Sequence, residues 1–187
     1  MMGRGSLVLA MAFALLASGC SLVAPRYNAS LQNVQRIKDV DGQALKMGEF
    51  TSTPGPDNPK SISIRGSSLT SPYDGSFAKY LSEAIRQELS LAGKLSGDAQ
   101  LEVSGALQKN DISIPPVGNG RGDIAARFVL KRNAQVRYDQ VKSVHDEWDS
   151  SFIGAVAIPR AQNEYPTLVQ KLLAELYADP AFQAALK

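Results

Sequence analysis

Hydrophobic and polar positions divide this 187-residue chain into segments of sharply different period. An unbroken apolar run, Leu7 to Leu16, follows the charged Arg4 and precedes the small residues Ala17-Ser18-Gly19. It is about half the roughly 20 residues needed to cross a hydrocarbon core as a helix. Its layout of charge, apolar core and small residues is that of a secretory signal. Beyond it, Ile62 and Ile64 alternate with Ser61, Ser63 and Arg65, the period of a half-buried strand. Phe77, Tyr80, Leu81, Ala84, Ile85, Leu89 and Ala92 then recur at three- and four-residue spacing. That spacing predicts an amphipathic helix, with Asp74 or Ser76 as its cap and Gly93 as its left-handed terminus.

Period two returns at Leu101, Val103 and Leu107, then at Ile124, Ala126, Phe128 and Leu130, then at Val136 and Tyr138. Arg132-Asn133-Ala134 supplies a hairpin turn, so these runs predict an antiparallel meander. Residues 150–161 are small, apolar and irregular, and a last helix is expected from about Tyr165-Pro166. Its stripe is Leu168, Val169, Leu172, Leu173 and Leu176, and Asp179-Pro180 ends it and caps a short terminal helix. A strand near Val34–Val40 is expected upstream of the rest. The order predicts an α+β two-layer sandwich: a mostly antiparallel sheet with two long helices packed on one face. The division expected is 1–19 signal peptide, 20–43 lipidated N-terminus and tether, and 44–187 a single periplasmic domain.

Cys20 is the only cysteine, so it has no disulfide partner within the chain. Ala17-Ser18-Gly19 before it resembles the lipobox of bacterial lipoproteins. The resemblance implies lipidation (palmitate or another acyl chain) of Cys20, with Ala17, Ser18 and Gly19 read by the signal peptidase. Ser21 matches the outer-membrane sorting pattern, which implies a lipid-anchored protein of the outer membrane facing the periplasm. Losing residues 1–19 removes Arg4 and no acid, leaving 19 basic against 18 acidic side chains. Near-neutrality gives no electrostatic case for nucleic acid.

Chemistry-bearing motifs are few. His145 is the only histidine, and its neighbour Asp146 points to the opposite face of any strand. With no second histidine and the cysteine committed to lipid, no nitrogen/sulfur metal set remains. Gly118-Asn119-Gly120-Arg121-Gly122 lacks the Lys-Ser/Thr pair and following helix of a phosphate loop, and reads as a turn. No cofactor is expected, and no enzyme. Trp148, Phe152, Ile153, Val156 and Ile158 lie in a stretch with almost no charge. They either fold over the open end of the core or form a partner-docking surface.

The lipobox with strand-strand-helix-strands-helix order resembles Gram-negative envelope lipoproteins of the LptE, PqiC and YajG types. That resemblance implies a non-catalytic accessory or assembly component of an envelope transport system, working through a protein partner in the cell envelope. The alternatives are a periplasmic lipid- or glycan-binding lipoprotein, or an activator of cell-wall synthesis.

Overall fold

A computed structural model describes residues 21–187. In order, its elements are β1 (Ser21–Val23), α1 (Leu31–Asp39), β2 (Leu45–Ser52), β3 (Ile62–Ile64) and β4 (Ser67–Thr70). Then come α2 (Phe77–Leu91), β5 (Leu101–Ser113), β6 (Gly120–Arg132), β7 (Gln135–Trp148), α3 (Gly154–Ala178) and α4 (Pro180–Ala185). The larger sheet has the order β2-β5-β6-β7, with β2 parallel to β5 and the rest antiparallel. The smaller sheet has the order β1-β4-β3, with β1 parallel to β4. Both long helices lie on one face of the larger sheet, α2 over β2 and β5, α3 over β6 and β7. The fold is α+β, in two layers.

Local chemistry explains the clearest elements. The Ser76 hydroxyl accepts from the Lys79 N–H at 3.2 Å and starts α2. At its end Gly93 takes φ +68°, which lets the Lys94 N–H reach the Leu89 carbonyl and the Gly93 N–H that of Ser90. The loop Asn133-Ala134 has both φ angles positive and closes β6 onto β7. Leu101, Val103, Leu107, Ile124, Ala126, Phe128, Leu130 and Tyr138 all point to the helices and are buried. Against them pack Phe77, Tyr80, Ile85, Leu172 and Leu176, and the Tyr165 ring sits 4.9 Å from Phe77 and 5.0 Å from Tyr80.

Three expectations need correction. Residues 31–39 form a helix, not a strand: Ser30 caps them and the inward side chains, Asn33 and Ile37, are four apart. From Ser21 on, the expected tether belongs to the fold, since β1 pairs with β4 and α1 packs on α2 and α3. Finally, α3 starts at Gly154 and carries Pro159 and Pro166 within it. Each proline forfeits one N–H, but the buried positions Ala157, Ala161, Tyr165, Leu168, Leu172 and Leu176 continue a single stripe. Packing along that stripe outweighs the loss.

Candidate functional site

Four connections meet at one end of the molecule. β7 ends there at Trp148, the 114–119 loop joins β5 to β6, the residues before Gly154 lead into α3, and Arg65-Gly66 turns β3 into β4. Arg65 has φ +46° and Gly66 φ +83°, the left-handed pair of a two-residue hairpin. The turn aims the Arg65 guanidinium at four main-chain carbonyls: Ile114 at 2.9 Å, Pro115 at 2.6 Å, Ser151 at 3.1 Å and Phe152 at 3.0 Å. A rigid planar fork with five donors suits such a set, where a lysine would reach fewer. One side chain thereby ties three loops into a tip.

The tip is apolar on its outside. Val117 is 84% exposed, Phe152 77%, Ile153 61% and Val156 55%. Ile158 instead turns partly into the core. Trp148, expected among the surface residues, is only 7% exposed: it lies beneath β6, where a Cβ on Gly120 would overlap its indole nitrogen. Two adjacent strands carry glycine and tryptophan opposite one another, so the ring fills the room the glycine leaves. Phe152, Ile153 and Val156 therefore form a surface, without Trp148 and Ile158. Ser21 is exposed at the head of β1. Ala17, Ser18, Gly19 and Cys20 lie outside the described residues.

Glu88 on α2 forms a second polar centre, fully buried. Its Oε1 accepts from the Tyr27 hydroxyl at 2.6 Å, the Ser30 N–H at 3.0 Å and the Asn33 amide at 3.2 Å. Asn33 also donates to the Gln170 carbonyl at 2.9 Å, so the N-terminal arm is held to both long helices. Oε2 lies toward the buried Tyr177 hydroxyl, and neither atom makes a hydrogen bond of ordinary geometry. Burial pushes the Glu88 carboxyl above the usual carboxylate range, and the donors around it, Tyr27 first, pull it only part of the way back. Neither Arg65 nor Glu88 stands out in the sequence by motif. Glu88 has one signal: it occupies a position on the apolar stripe of α2, between Ile85 and Leu89.

His145 lies on the uncovered face of the larger sheet. Its Nδ1 is 3.2 Å from Asp123 across the β6–β7 ladder, and its Nε2 is 3.3 Å from Glu147, two residues on. Asp146 points the other way and pairs with Lys171 at 2.6 Å. Hydrogen bonding to Asp123, then to Glu147, holds the imidazole above its ordinary pKa. Among the described residues no group of three His, Cys, Asp or Glu side chains could hold a metal ion. Surface grooves occur between α1 and α4, lined by Gln35, Arg36, Asp39 and Lys187, and beside the start of α2, lined by Pro54, Pro59 and Phe77.

No family model matches the chain, and no curated protein is similar to it in sequence. Its fold is similar to a crystal structure of a Xanthomonas campestris protein of the DUF330 family (TM-score 0.60, 11% identity, covering 88% of this chain and 95% of that one). Other similar structures are a candidate lipoprotein of Caulobacter crescentus (TM-score 0.48, 11% identity, 82% and 96% covered) and a minor lipoprotein of Acinetobacter baumannii (0.40, 6%, 73% and 91%). At these identities the likeness is one of fold. Among the described residues no helix is long and apolar enough to cross a membrane.

Proposed function

We propose that this protein is a non-catalytic lipoprotein, anchored through Cys20 to the outer membrane and facing the periplasm. It serves an envelope transport or assembly machine of the kind associated with LptE-, PqiC- and YajG-type lipoproteins, by binding another protein. The observation that carries this reading is the filled space between the layers. Phe77, Tyr80, Phe128, Tyr165, Leu172 and Leu176 are all buried where an acyl or glycan ligand would otherwise lie. A carrier needs a concave apolar site with a few convergent polar groups. The α1–α4 groove is instead polar, lined by side chains such as Gln32, Arg36, Asp39 and Lys187, and the groove beside the start of α2, lined by Pro54, Pro59 and Phe77, lies at the surface rather than between the layers. One face of the larger sheet carries both helices, and the other is open along strands of up to 14 residues. β7 is an edge strand, and an unpaired edge of that length is a surface on which another chain can pair.

Crosslinking in intact cells, followed by gentle solubilisation and mass spectrometry, tests the reading. A reproducible crosslinked envelope protein is expected. A protein that elutes alone with a bound lipid or glycan overturns the reading in favour of a carrier.

A further inference from the structure

The chain leaves the fold toward Cys20 at the apolar tip. β1 runs parallel to β4 with Ser21 opposite Ser68, the residue after Ser67. Ser67 directly follows the Arg65-Gly66 turn, and Arg65 holds the carbonyls of Pro115 and Phe152. Consecutive Cα atoms are about 3.8 Å apart, so the attachment residue is within one peptide of β1. A lipid on Cys20 is then one residue from the start of β1. β1 is itself pinned, since the Gln162 amide donates to the Val23 carbonyl and the Ala24 N–H donates to the Thr70 carbonyl.

We propose that Val117, Phe152, Ile153 and Val156 seat this domain in the headgroup–acyl boundary of the bilayer that holds the Cys20 lipid. The proposal rests on lipidation of Cys20. Exposed apolar patches of this kind mark either a protein or a membrane contact. Position decides between them here. Acyl chains attached one residue before β1 enter the bilayer beside the tip, and a protein partner would have to fit into that same gap. Side chains at that same end of the molecule reach the roughly 5–10 Å depth at which interfacial residues bury their apolar faces. Lipid and tip are then two signals for one membrane, and the domain stands in a single orientation. Val136, beside the β6–β7 turn, is twelve residues up β7 from Trp148, about 40 Å away at roughly 3.3 Å per residue.

The test uses the full, acylated protein in vesicles of phosphatidylethanolamine and phosphatidylglycerol. A polarity-sensitive fluorophore is placed by Phe152→Cys, by Ile153→Cys and, as the remote control, by Val136→Cys. All three positions are exposed, so the fold does not depend on them. The parent protein is checked for incorporated fatty acid. The expected result is loss of emission at 152 and 153 to spin-labelled lipids and none at 136. Equal quenching at all three positions, or none at any, overturns the seating while an acylated parent leaves the anchor standing. Protection of position 152 from aqueous iodide without quenching by lipid assigns the tip to a protein and also overturns it. A parent without fatty acid brings down the anchor reading, and the seating with it.

Discussion

The meander β5–β7 and the N-terminal arm, residues 21–39, are held by opposite means. The meander is bound by main-chain ladders between consecutive strands and by one apolar face. The arm has three residues of ladder and few buried apolar side chains, Ala24, Tyr27 and Ile37, and its polar ties reach residues far along the chain: Tyr27 and Asn33 to Glu88, Arg36 to the Ala174 carbonyl. Apolar periodicity builds the first region and polar convergence builds the second. A mutation in one should therefore unfold the molecule, whereas a mutation in the other should release a part of it.

The largest effect is expected from Phe128→Ala. Phe128 is fully buried in the central pair of strands, and truncating a core phenylalanine costs about 3–5 kcal/mol. Denaturant unfolding should show one cooperative transition at a lower midpoint. Loss of protection confined to β6 would refute the view of the meander as the cooperative core.

A smaller effect is expected at Glu88. Glu88→Leu strands the Tyr27, Ser30 and Asn33 donors. Because the freed arm can rehydrate, the loss should stop at about 2–3 kcal/mol. Hydrogen exchange should rise in residues 21–39 and stay slow in β5–β7. Glu88→Gln keeps an acceptor for those donors and removes the charge. With the folded carboxyl raised above its unfolded value, the folded state keeps a proton that the unfolded chain has lost. Stability from this group is then full below the ordinary glutamate pKa and falls as pH rises through the folded value. Glu88→Gln should abolish that fall and match or exceed the parent at neutral pH. An unchanged pH profile in Glu88→Gln would show that the slope comes from another group.

The smallest effect belongs to the open face. Asp123→Asn removes the main cause of the raised His145 pKa, so the imidazole midpoint by NMR should drop toward its ordinary value near 6.5. In the parent, any stability from His145 is present below that ordinary value and is lost as pH rises through the folded one. An unmoved midpoint would mean that Glu147 alone sets it.

How legible each region was follows from the same contrast. Leu101, Val103, Ile124, Phe128 and Tyr138 announce their face by period two. Phe77 to Ala92 announce α2 by its stripe, its Ser76 cap and Gly93. The arm offers no such pattern, because α1 turns only Asn33 and Ile37 fully inward and β1 only Leu22 partly so. Val34 and Val40 then suggest a strand that tertiary packing overrides. In α3 the prolines obscured a stripe that Ala157 and Ala161 already begin. At the tip, Phe152, Ile153 and Val156 were legible as an uncharged apolar cluster. Arg65 was not, because its partners are carbonyls, which every residue has.

The long reach of the N-terminal arm's contacts also orders events in time. Ser21 pairs with Ser68, Asn33 donates to the carbonyl of Gln170, and the Gln170 side chain donates to the carbonyl of Asn28. Contacts spanning 137 and 142 positions cannot form until nearly the whole chain has been synthesised. They also carry a high loop-closure cost. The segment that begins at Ser21 is thus the first part of the domain to be made and among the last to be fastened.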